Sequence, residues 1–143
     1  EAADKDGDTS LTWASYQGHL DIVKVLLEKK ANIEAADKNG WTSLKSASSK
    51  GHLDVVKLLL EKKANIEAAD EDGWTSLTSA SEKGHLDVVK VLLEKKANIE
   101  AADKDGVTSL RSASDKGHLD VVKVLLEKKA NIEAADKDGV TSL

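Results

Sequence analysis

Four histidines, His19, His52, His85 and His118, are the chain's whole supply of imidazole, and each stands in the same tetrapeptide, GHLD. Histidine close to aspartate is raw material for a metal site or for acid–base catalysis. The spacing argues against the first. Successive histidines are 33 residues apart at equivalent positions, and equivalent positions on neighbouring packed helices lie about 8–10 Å apart. Ligands that share one zinc ion bond it at about 2.0–2.1 Å. Serine offers no better nucleophile: Thr-Ser-Leu occurs five times, ending at Leu11, Leu44, Leu77, Leu110 and Leu143, and no histidine and carboxylate converge on just one copy. An enzyme site is singular, and this chain repeats nearly everything. Its glycines never form a phosphate-cradling GxGxxG or GxxxxGK loop. The absence of cysteine removes disulfides and thiolate ligands alike. The expectation is a protein that is not an enzyme and uses no metal or cofactor.

The histidines instead mark where a helix begins. "GHLDIVKVLL" starts at Gly18, and near-identical stretches start at Gly51, Gly84 and Gly117. Asp21, Asp54, Asp87 and Asp120 then fall in the first turn, where a negative charge opposes the helix dipole, and Lys62 and Lys63 do the same at the other end of residues 53–62. That helix carries Val55, Val56, Leu58, Leu59 and Leu60, apolar around most of its circumference, so it must be covered on more than one side. One unit cannot supply that cover, and neighbouring units must. Between units, "ANIEAADKNGWT" (31–42) alternates apolar Ala31, Ile33 and Ala35 with polar residues and ends in a turn signal. It predicts a short β-hairpin projecting sideways.

Set out at this period, the chain holds four full units, residues 4–36, 37–69, 70–102 and 103–135, with 1–3 as the tail of a preceding unit and 136–143 as the head of a fifth. "DKNGWTSLKSASSKGHLDVVKLLLEKKANIEAA" (37–69) carries DxxGxT, GHLDVVKLLL and AxI at the spacing of a turn and two helices in 33 residues. Across its whole length the chain resembles the ankyrin repeat family, which implies an all-α solenoid of helix-turn-helix pairs linked by short β-hairpins. Three departures from that pattern recur. TPLH reads TSLK, TSLT or TSLR, so Ser10, Ser43, Ser76 and Ser109 stand where proline presets the first helical turn. Lys30, Lys63, Lys96 and Lys129 replace the glycine that ends the second helix, and Glu34, Glu67, Glu100 and Glu133 replace an asparagine. The first two predict lower stability than a strict family consensus; the third removes the asparagine that is hydroxylated in the family.

Within the chain the units can be compared with one another. Only nine of 33 positions differ, and two of those are Ile/Val or Leu/Val exchanges in the second helix. Of the seven that remain, three lie at the turn, one of them holding Asp8, Trp41, Trp74 and Val107. Four lie on the first helix: Thr12, Lys45, Thr78 and Arg111; Trp13 with its serine equivalents; Tyr16, Ser49, Glu82 and Asp115; Gln17, Lys50, Lys83 and Lys116. At about 100° per residue the invariant Leu44, Ala47 and Ser48 share one face while Lys45, Ser46, Ser49 and Lys50 span the other. The resemblance implies that these positions line a concave groove that binds partner proteins; designed ankyrin repeat proteins are diversified at mostly the same places. All four aromatic residues, Trp13, Tyr16, Trp41 and Trp74, occupy variable positions, and aromatic anchors dominate interface energies. The bland alternatives are that the tryptophans pack on neighbouring units and the charges form a solvated face. On that face Lys45, Lys50, Lys83, Arg111 and Lys116 outnumber Glu82 and Asp115, which predicts a protein partner with an acidic patch and an apolar knob, seated between Tyr16 and Arg111.

The chain's 143 residues are 40% hydrophobic and 33% charged, the balance of one globular or repeat domain. A net charge of −5 argues against nucleic acid as partner. No apolar run approaches the roughly 18–20 residues of a membrane span, and no leader opens the chain, so a soluble, cytoplasmic protein is expected. A different class of function is also open. Proline and phenylalanine are absent, and both ends fall partway through a unit without a polar capping repeat. Those features fit an engineered or excised scaffold with no natural partner, prone to end-to-end self-association.

Overall fold

The computed structural model describes residues 9–132 and 137–141. Among them are eight α-helices in two rows. In chain order they are α1 (Ser10–Gln17), α2 (Leu20–Glu28), α3 (Ser43–Lys50), α4 (Leu53–Glu61), α5 (Ser76–Lys83), α6 (Leu86–Glu94), α7 (Ser109–Asp115) and α8 (Leu119–Glu127). Odd-numbered helices form one row and even-numbered helices the other, each pair closing one unit. The first-helix row is the more tightly packed because its contact faces are small: Ala47, Ser48, Ala80 and Ala113 are fully buried. Larger side chains fill the space between rows. Leu11, Leu44, Leu77 and Leu110 meet Val23, Val56 and Val89 and Leu59, Leu92 and Leu125 there, all at most 1% exposed.

The first four Thr-Ser-Leu copies are helix starts. Thr9, Thr42, Thr75 and Thr108 are N-caps whose side chains accept the amide three residues on, from Thr12, Lys45, Thr78 and Arg111. The following serine is the first helical residue. The first helices end at Gly18, Gly51, Gly84 and Gly117, with φ of 75–76°. The second helices end in the same geometry on a lysine: Lys30, Lys63, Lys96 and Lys129 hold φ of 69–70°. These lysines thus lie just past the helices, where the sequence placed Lys62 and Lys63 in a last turn.

The expected hairpins are reduced. Among the described residues there is no strand, only isolated antiparallel bridges at Ala36–Thr42 and Ala102–Thr108. A side chain holds the turn instead. One oxygen of Asp37 accepts the amides of Asn39 and Trp41, both at 2.9 Å, and Asp70 and Asp103 repeat the arrangement. No helix among the described residues is long and apolar enough to cross a membrane.

Candidate partner-binding face

Turn tips of successive units are joined by backbone bonds: Glu71 N–H to Asn39 O (3.0 Å), Lys104 N–H to Asp72 O (3.0 Å) and Lys137 N–H to Asp105 O (2.8 Å). At Gly40, φ +84°, an added Cβ would stand 3.0 Å from the Asp70 Cα. Glycine is needed there for the close approach as much as for the torsion. The tips and the outward sides of the first helices therefore form one continuous face.

Several side chains expected on the open side of that face are buried. Lys45 is 1% exposed; its ammonium lies 2.8 Å from the Asp70 carboxylate and 3.6 Å from the centre of the Trp41 ring. Thr12 and Thr78 are also buried, with Thr12 Oγ1 accepting the Thr9 amide at 2.8 Å in a capping box. Ser49 is buried, and its carbonyl accepts from His85 Nε2 at 2.9 Å. Two reasons account for the four. Helical periodicity locates the side turned away from a unit's own core, but the next unit reaches over Lys45 and Ser49, and Thr12 and Thr78 turn in on the N-cap threonines of their own helices.

The remaining predicted residues divide into those free to meet a partner and those engaged within the array. Gln17, Lys50, Lys83, Asp115 and Lys116 are exposed, and Tyr16, Trp41, Trp74, Glu82, Val107 and Arg111 are half-buried. Trp13 is 55% exposed and stacks on Tyr16 with ring centres 5.6 Å apart. Trp74 Nε1 donates to the Asp103 carboxylate at 2.9 Å, so this tryptophan ties unit 3 to unit 4. Arg111 is similarly committed: its Nε donates to Asp115 at 2.8 Å and its Nη1 to the carbonyls of Val140 and Thr141. Asp8 lies outside the described residues.

Two adjoining hollows open on this face. The larger, about 440 Å³, is lined by Tyr16, Trp41, Ser49, Lys50, Lys83 and His85. The smaller, about 240 Å³, shares Trp41, Ser49 and Lys83 with it and adds Asp72, Trp74 and Glu82. A hollow of about 600 Å³ lies elsewhere, between α2 and α4, with Leu27, Ala31, Ile33 and Leu58 in its lining. None of the predicted binding residues borders it. Among the described residues no three or more His, Asp or Glu side chains cluster as metal ligands would.

Two features escaped the sequence reading. Glu34, Glu67 and Glu100, noted only as departures, accept the amides of Asn65, Asn98 and Asn131 in the following unit at 2.7–2.8 Å. Each histidine from the second unit onward reaches back: His52 Nε2 donates to Tyr16 O at 3.0 Å and His118 Nε2 to Glu82 O at 2.8 Å, as His85 does to Ser49. The constant offset of these pairs was present in the repeat, but spacing alone does not say which atoms meet.

The geometry is that of stacked helix pairs joined through their turns, and the comparisons agree. A family model described as ankyrin repeats (3 copies) matches residues 1–70 and again 64–136. The chain belongs to the ankyrin repeat family. Comparison with curated proteins gives no match. Ankyrin repeats generally mediate protein–protein interaction and are typically non-enzymatic.

Proposed function

We propose that this chain is a non-enzymatic protein-binding module that receives its partner along the face of first helices and turn tips, the family's concave groove. The observation that carries this reading is the convergence of Tyr16, Trp41, Lys50 and Lys83, all variable between units, on one hollow. Tyrosine and tryptophan beside flexible lysines form a surface with apolar anchors and a positive field. Its complement is an acidic protein surface with a projecting apolar side chain. The test is binding by a Tyr16→Ala/Trp41→Ala variant, with Trp74 kept because it anchors Asp103. Loss of partner binding at unchanged helicity supports the face; a partner that binds the variant as well as the parent rejects it.

A second reading is a scaffold, engineered or excised, whose ends join copy to copy. It draws on apolar side chains exposed on the outer flanks: Trp13, Ile22 and Val25 on one side, Leu119, Ile132 and Val140 on the other. Two observations weigh against joining in register. Trp13 stands where Ser46, Ser79 and Ser112 are 3–5% exposed between packed helices, and residues 137–141 already extend the turn ladder. Sedimentation velocity decides between them: mass that rises with concentration supports joining, and a constant monomer mass rejects it.

A further inference from the structure

The charge on the proposed binding face is distributed unevenly, and the imbalance names a ligand chemistry. Gln17, Lys50, Lys83 and Lys116 occupy one equivalent position along the first helices, with Tyr16, Ser49, Glu82 and Asp115 beside them. Toward α7 the charges are matched internally. Arg111 holds Asp115 at 2.8 Å, and Glu82 lies 3.8 Å from the Lys116 ammonium and 3.9 Å from that of Lys83. Toward α1 the match is incomplete. Among the described residues no carboxylate stands within ion-pair distance of Lys50, whose ammonium sits 4.9 Å from the centre of the Tyr16 ring. Lys83 shares Glu82 with Lys116 at distances too long for a hydrogen bond, and its side chain is 54% exposed.

Those two lysines project into the 440 Å³ hollow whose lining contains no acidic residue. The His85 imidazole, also in the lining, is committed to the Ser49 carbonyl at 2.9 Å. A chain with a net charge of −5 therefore presents two lysines between a tyrosine and a tryptophan ring, with Glu82, 3.9 Å from Lys83 and shared with Lys116, as a partial offset. The Lys50 ammonium lies over the Tyr16 ring at 4.9 Å, within the range of a cation–π contact.

Resting on the binding face proposed above, we propose that this hollow is a carboxylate subsite: it takes the side chain of an Asp or Glu in an extended partner segment, with a neighbouring apolar side chain against Tyr16 or Trp41. Lysine meets a carboxylate as a mobile point charge with three donors. Lysine binds phosphate too, but phosphate sites commonly add the forked donors of arginine or helix N-terminal amides, and the lining contains no arginine.

A random dodecapeptide library selected on the immobilised protein supplies the probe. Enriched peptides are synthesised with each acidic residue changed singly to its amide, or to phosphoserine. Affinities are measured on the parent and on Lys50→Ser/Lys83→Ser, Lys57→Ser and Tyr16→Ala/Trp41→Ala variants that retain parental helicity. The expected result is an acidic residue in the enriched peptides whose neutralisation lowers affinity about tenfold, with a similar loss in the double lysine variant. Those two losses do not add, because they remove one interaction, and Lys57→Ser, on the exposed side of α4, leaves affinity unchanged. Added salt weakens the parent complex. A phosphoserine exchange that tightens binding overturns the carboxylate assignment. Peptides sensitive to Tyr16→Ala/Trp41→Ala but indifferent to the two lysines leave the binding face standing and reject the subsite. Peptides indifferent to both sets, or a library without binders, reject the face itself.

Discussion

The ammonium of Lys45 is enclosed between the Trp41 ring and the Asp70 carboxylate, with 2% of the lysine side chain and 7% of the aspartate's exposed. Burial lowers its pKa from the ordinary 10.5, against the hydrogen bond and charge of Asp70 and the further charges of Asp37 and Glu82. A group whose pKa is lower folded than unfolded binds fewer protons in the folded chain. Its contribution to stability is therefore least favourable below the folded pKa and rises as pH climbs through it toward 10.5. Two substitutions separate the pair's net effect from the cost of breaking it. Lys45→Met replaces charge by apolar volume and is expected to change stability little or to raise it, whereas Asp70→Asn leaves a buried cation poorly matched and costs about 3 kcal/mol. Urea unfolding at pH 7 and pH 10 checks both statements: the parent should gain on Lys45→Met at the higher pH, and no relative gain would show that Lys45 does not titrate as its burial demands. Helical spacing put Lys45 on the side of α3 away from Leu44 and Ala47, which is where it lies. That unit 3's turn would close over it was not legible, because cover by a neighbour is a property of the stack and not of the helix.

At the scale of the element, the two helices of a unit end in one motif made with different residues. After α2, Lys30 N–H bonds Leu27 O and Ala31 N–H bonds Leu26 O; after α1, Gly18 and His19 bond Ser15 and Ala14 in the same pattern. The left-handed residue is glycine in one case and lysine in the other, and their surroundings account for the difference. A Cβ at Gly18 would meet the His52 ring at 2.6 Å, while Lys30, Lys63, Lys96 and Lys129 are exposed and carry only the torsional penalty. Lys63→Gly should then stabilise the chain by about 1 kcal/mol. The four sites belong to different units, so replacing all of them should give roughly additive gains, read as a shift of the urea midpoint at constant slope. A destabilised Lys63→Gly would mean that the lysine stems contribute packing larger than the strain. The helices and their ends were legible in the sequence because caps, glycines and apolar periodicity act over a few residues. The linkers were read as hairpins because Ala31, Ile33 and Ala35 alternate; in the folded chain the side chain of Asp37 takes the turn amides that a ladder would have paired.

Across the whole molecule, units 2 and 3, and units 3 and 4, meet through three recurring ties: histidine to a first-helix carbonyl, glutamate to an asparagine amide, and tip carbonyl to tip amide. All are nearest-neighbour contacts, so stability is a sum of weak unit terms and strong interface terms. The glycines allow one interface term to be isolated. Gly51 and Gly117 share a φ of 75°, but a Cβ at Gly51 would lie 2.7 Å from His85 Nδ1, whereas one at Gly117 would meet nothing within 4 Å. An alanine at either site meets the same backbone penalty of about 1–2 kcal/mol. Only Gly51→Ala must also displace the imidazole that ties unit 3 to unit 2, an overlap that adds about 1–3 kcal/mol. Adding His85→Ala should remove that excess, so the double variant is more stable than the sum of the single losses predicts. With the central tie loosened, residues 9–69 and 70–132 should also unfold at separate urea concentrations, visible as two classes of amide exchange, while Gly117→Ala keeps one transition through the first three units. Equal losses for the two alanines would mean that the histidines lie beside the interfaces without coupling them, leaving the apolar contacts between helices as the whole of the cooperative force.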